Sequence, residues 1–151
     1  MDKNELADRY KKAVEGMLGL VATIDKDGDV VFHHPDRGGY FFNLNAERDP
    51  EYLMLIYPYF MDKSDVGGDG DALVRIANEV NRTVKVAKIV VMDNEDCDVM
   101  AGVECLVAGP DEAPTQEFLN SIIRRAYDQL SSAVESFTEI VAKRSQMSSV
   151  S

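Results

Sequence analysis

The chain has 151 residues, 45% of them hydrophobic, which suits one domain with a core of ordinary size and excludes a chain disordered throughout. A formal net charge of −11 repels phosphate backbones and anionic membranes, so nucleic acid and membrane are disfavoured as partners. The longest apolar runs fall short of a membrane span, and the N-terminal MDKNELADRYKK has no apolar signal core; two cysteines without an export signal then point to reduced thiols and a cytosolic location.

Residues 4–18 place Leu6, Tyr10, Ala13, Val14, Met17 and Leu18 at helical spacing, with Asp2 or Asn4 placed to cap the helix and Gly19 to end it. Residues 20–35 change period. Asp27-Gly28 between the runs Val21-Ala22-Thr23-Ile24 and Val30-Val31-Phe32 is a hairpin signal, because such a turn needs positive φ. A second turn at residues 35–39 leads into a strand with Tyr40, Phe42 and Leu44 on one face. After a polar connection at 45–51, residues 52–60 read as an aromatic-rich strand; its Pro58 cannot donate to a ladder and belongs at a sheet edge or at the strand's finish.

The Gly- and Asp-rich stretch 62–71 reads as a surface loop. Leu73, Ile76, Ala77 and Val80 then mark a helix over 71–83, with Asp69 or Asp71 at its cap. Residues 84–92 and 97–107 read as a hairpin around Asp93-Asn94-Glu95-Asp96, the second strand carrying Cys97, Val99, Ala101, Val103, Cys105 and Val107 on one face. Thr115 starts the last helix, whose apolar stripe runs from Phe118 to Val141 and ends near Lys143. The expected architecture is one α+β domain over 1–144, three helices on an antiparallel sheet of about five strands, followed by a disordered tail at 145–151.

The segments IDKDGDVVFHH, GGYFFNLNAERDPEYLMLIYPYF, ANEVNRTVKVAKIVV and EFLNSIIRRAYDQLSSAVESF, in this order, resemble the YbjN-like family of bacterial sensory-transduction regulators, over roughly residues 4–142. IANEVNRTVKVAKI is the most specific piece, and none of these motifs is catalytic. The resemblance implies the fold of the type III secretion chaperones. It also implies homodimers, and by fold-level analogy a chaperone-like or regulatory role without a settled biochemical activity.

No catalytic constellation stands out. Asp25, Asp27 and Asp29 begin like a calcium loop, but the glycine is in the fourth position and Val30 in the sixth, so a hairpin turn is the better reading. Asp62, Asp65, Asp69 and Asp71 offer an alternative function, an ion-responsive module in a flexible loop, against the plainer reading of a solvated loop that caps the next helix. His33 and His34 are neighbours in a strand and point to opposite faces, which opposes a shared metal ion. Cys97 and Cys105, if carried on one strand, lie about 26 Å apart, too far for a disulfide. Gly67-Gly68-Asp69-Gly70 has no following lysine and sits among carboxylates, which opposes nucleotide binding. The cations Arg82, Lys85 and Lys88 read as a solvated rim. No catalytic residue, metal or cofactor is assigned.

The informative feature is the run Tyr52-Leu53-Met54-Leu55-Ile56-Tyr57-Pro58-Tyr59-Phe60, apolar at both strand parities where a half-buried strand has one polar face. Residues 88–92 share the trait. Either helices cover both faces or one face meets another molecule. The expected function is non-enzymatic protein binding by a homodimer through Tyr52, Met54, Ile56, Tyr57, Tyr59 and Phe60, the acidic surface favouring basic or neutral segments.

Overall fold

A computed structural model describes residues 2–45 and 47–150. Among them the chain runs α1 (Lys3–Leu18), β1 (Ala22–Ile24), β2 (Val30–His34), β3 (Gly38–Phe42), β4 (Tyr52–Met61), a 3-10 helix (Lys63–Val66), α2 (Gly70–Thr83), β5 (Ala87–Val91), β6 (Val99–Leu106) and α3 (Gln116–Val150). The six strands form one open antiparallel sheet in the order β1-β2-β3-β4-β6-β5. The fold is α+β, with six strands where about five were expected, since all four apolar runs before α2 form strands. None of the described helices is long and apolar enough to cross a membrane.

The chain gathers into two compact units, Met1–Ile56 with Val103–Asp128, and Tyr57–Gly102 with Gln129–Ser151. In the first, the Asp2 carboxylate accepts from the Asn4 amide at 3.1 Å and starts α1, and Gly19 at φ 66° ends it. The β1–β2 hairpin turns on Asp25. Its carboxylate accepts from the amides of Asp27 and Asp29, both at 2.9 Å, and Gly28 takes φ 85°. Asp29 accepts from the Leu44 amide at 3.0 Å. These aspartates therefore satisfy backbone, as the hairpin reading requires.

The register sets Phe32 opposite Tyr40 and Phe42 opposite Leu55, so Phe32, Tyr40, Phe42, Leu53 and Leu55 line one face and are buried. Tyr10 of α1 meets Phe42 with ring centroids 5.0 Å apart, and Tyr127 of α3 meets Tyr40 at 5.2 Å. Arg9 donates to the Pro114 carbonyl at 2.7 Å, and Gln116 donates to the Arg9 carbonyl at 2.8 Å, tying α1 to the start of α3.

In the second unit, α2 buries Ala72, Leu73, Ile76, Ala77 and Val80, and α3 buries Leu130, Ala133, Phe137 and Val141. Arg144 of α3 donates to the Val66 carbonyl at 3.4 Å and to the Asp69 carboxylate at 3.2 Å. The helix α3 continues to Val150, past its expected end near Lys143, because residues 144–150 contain no glycine or proline to stop it. The expected tail is thus helical as far as it is described. Ser151 of that tail lies outside the described residues, as does Ala46 of the polar connection. Pro58 sits in an interior strand rather than an edge strand; it lies beyond Ile56, the last β4 residue in the described β3 register.

Candidate functional site

Both helical segments of the first unit pack on the face of Phe32, Tyr40 and Phe42. Strand alternation turns Val31, Phe41, Met54 and Ile56 to the reverse face, where Val31 stands opposite Phe41 and Phe41 opposite Ile56. Val31, Phe41 and Met54 are half-buried there, and Ile56 is 9% exposed. Tyr52 joins them from the same parity of β4 and hydrogen-bonds the Glu104 side chain of β6. Partial burial, and then the hydrogen bond to the Glu104 carboxylate and its charge, push the Tyr52 phenol above its usual range. Two residues on, Leu106 is 72% exposed.

Of the six residues expected to bind a partner, Tyr52, Met54 and Ile56 are therefore gathered on this face. The other three belong to the second unit. There Phe60 turns inward, its ring edge-on to Phe137 of α3 at 5.8 Å and 5.5 Å from the ring of Tyr57. Tyr59 is 60% exposed. Val31, Phe41 and Leu106 were not expected on the surface. The signal for Val31 and Phe41 was present in the triplets Val30-Val31-Phe32 and Tyr40-Phe41-Phe42, which are apolar at both parities.

The carboxylates of the loop 62–71 do separate tasks. Asp62 accepts from the Ser64 amide at 2.8 Å and from its hydroxyl, and Asp65 accepts from the Asp62 amide at 2.9 Å, closing a capping box on the 3-10 helix. The hydrogen bonds from Ser64 hold the Asp62 carboxyl below its usual range. Asp69 caps α2 through the Ala72 amide at 3.2 Å and pairs with Arg75 and Arg144. Among the described residues, no group of three or more histidine, cysteine or acidic side chains is placed to hold a metal ion.

Near this loop lies a recess of about 440 Å³ lined by Asp69, Gly70, Asp71, Val74, Met92 and Cys97, among others. Cys97 is not on β6 as expected. It occupies the turn before the strand at φ 53°, its amide donating to the Asn94 carbonyl at 3.2 Å. Cys105 does lie on β6, and burial pushes its thiol up. Both thiols are free. His34 accepts from the Asp36 amide at 3.1 Å, which is a turn contact, and His33 packs against Gly39.

No family model, curated protein or solved structure matches this chain.

Proposed function

We propose that this chain works by binding protein rather than by catalysis, as a chaperone-like or regulatory homodimer whose contact surface is the reverse face of the first unit. One observation carries the reading: Val31, Phe41, Met54 and Leu106 occupy the side of the strands that the unit's own helices do not use. A contiguous apolar face of this kind costs solubility unless a partner covers it. Tyrosine and methionine suit such a surface, since each supplies contact area in an adaptable or amphipathic form. The reading also draws on the resemblance of the sequence to the YbjN-like family, and two free thiols suit a reducing cytosol.

Light scattering at micromolar protein tests the proposal. The wild type is expected to be a dimer. The double variant Phe41→Glu, Met54→Glu is expected to be a monomer with unchanged circular dichroism, because both side chains are only half-buried. Ile56 is left intact, since a carboxylate at a 9% exposed position would unfold the unit instead of testing its surface. A wild type that stays monomeric at every concentration sinks the homodimer.

A further inference from the structure

Among the described residues the strand β5 ends the sheet, so one side of its backbone has no strand to pair with. An open edge is a template for another chain. Here it is occupied from within. The exposed Asn81, near the end of α2, accepts from the Ile89 amide at 2.7 Å and donates to the Ile89 carbonyl at 3.0 Å. A side-chain amide thus makes, at one residue, the pair of hydrogen bonds that a neighbouring strand would make.

The connection between Asn81 and Ile89 is strained. Val86 is at φ 69°, and the Ala87 amide donates to the Lys85 carbonyl at 2.6 Å, which is the rarer, costly form of γ-turn. A β-branched residue seldom tolerates positive φ, and such positions persist where the surroundings impose them. Val86 is also 59% exposed, so burial of its side chain does little to offset the strain.

The charge here is reversed relative to the rest of the molecule. Residues 80–92 contain Arg82, Lys85 and Lys88 and no acidic residue, in a chain of net charge −11, and all three cations are exposed. Pairing β5 with β5 of a second copy would bring two identical cationic sets together, which opposes a self-pairing edge.

We infer that the β5 edge is a docking strand for an extended acidic polypeptide segment, with Asn81 as a displaceable plug. The incoming backbone takes over the Ile89 hydrogen bonds as the Asn81 amide rotates into solvent, and the carboxylates meet Arg82, Lys85 and Lys88. Backbone pairing supplies affinity for any extended chain, and the three cations select an acidic one.

The test uses the full chain and a short peptide of alternating glutamate and valine, with a lysine and valine peptide as control. Binding is followed by anisotropy, and the site by amide hydrogen exchange. The acidic peptide is expected to bind the wild type and slow exchange at Ile89. Asn81→Ala is expected to tighten binding about tenfold, because the peptide no longer displaces two hydrogen bonds. Lys85→Glu, at an exposed site that leaves the fold intact, is expected to weaken it several-fold. The Phe41→Glu, Met54→Glu variant is expected to bind as the wild type does, which separates this edge from the dimer face. Equal binding of the two peptides, binding without protection of Ile89, or no binding by either wild type or Asn81→Ala overturns the inference. Displacement of the peptide by a single-stranded oligonucleotide overturns it in favour of a phosphate-binding patch. Self-association of Asn81→Ala through Ile89, with no peptide bound, overturns it in favour of a self-pairing edge.

Discussion

A Cβ atom built on Gly70 would lie 2.7 Å from the sulfur of Cys97. The first residue of α2 and the turn before β6 approach so closely that a side chain at position 70 requires the Cys97 thiol to shift. The Cys97 backbone is held at φ 53° by the bond from its amide to the Asn94 carbonyl, so the thiol has to turn about its side-chain bond to make room. Gly70→Ala is therefore expected to cost about 1 kcal/mol, despite the better helix propensity of alanine. In a Cys97→Gly background the same substitution is expected to be neutral or favourable, giving a coupling of about 1–2 kcal/mol in a denaturant double-mutant cycle. Additive effects would show that the two sites do not meet.

Tyr10 is fully buried against Phe42, and its hydroxyl has no hydrogen-bond partner among the described residues. An unpaired buried hydroxyl costs roughly 1–3 kcal/mol. Tyr10→Phe is expected to leave stability unchanged or raise it by about 1 kcal/mol. Burial, with a smaller contribution from Cys105, also raises the phenol pKa far above its unfolded value. The folded state then holds the proton more tightly than the unfolded state. The stability linked to Tyr10 is full below about pH 10 and is lost as pH rises beyond it. Urea melts from pH 8 to pH 11 should show this alkaline loss in the wild type and a smaller one in Tyr10→Phe.

Val86→Gly relieves the positive φ at a position where little apolar area is buried. The strain is of order 1–3 kcal/mol, and the extra freedom of glycine in the unfolded chain offsets about 0.5–1 kcal/mol of the gain. A net stabilisation of about 1 kcal/mol is expected by thermal melting. A destabilised variant would mean that Val86 is held by contacts worth more than its strain.

The acidic loop offers a further check. Asp62, Asp65 and Asp69 are engaged with backbone amides and with Arg75 and Arg144. An ion would have to break those caps before it gained ligands. Calcium or magnesium at millimolar concentration is expected to leave the melting temperature unchanged and to give no heat in calorimetry. A clear rise in melting temperature would restore the ion-responsive reading.

Much of the fold could be read from single residues whose chemistry acts locally. Asp2, Gly19, Asp69 and Thr115 mark helix ends, because capping depends on residues only a few positions away. The Asp27-Gly28 turn and the Tyr40, Phe42, Leu44 face were legible for the same reason. The reverse face of the first unit was legible only in part. The alternation of 52–56 was sound, but Phe60 turns inward to Phe137, a partner 77 residues further along that no local pattern reveals. Asn81 gave no signal at all. A polar residue late in a helix looks like solvent-facing filler until the fold brings Ile89 beside it. Cys97 was misplaced because the strand pattern of 97–107 ran smoothly through a residue whose backbone is left-handed.

Within the sheet, β6 lies between β4 and β5 although it is made after both. On the ribosome, β4 and β5 therefore emerge with the slot between them vacant, and it stays vacant until β6 has emerged in turn. Through that interval the nascent chain displays two greasy ribbons with unsatisfied amides, a state prone to sticking to its neighbours on a polysome. Truncations that stop before β6 should accumulate as aggregates.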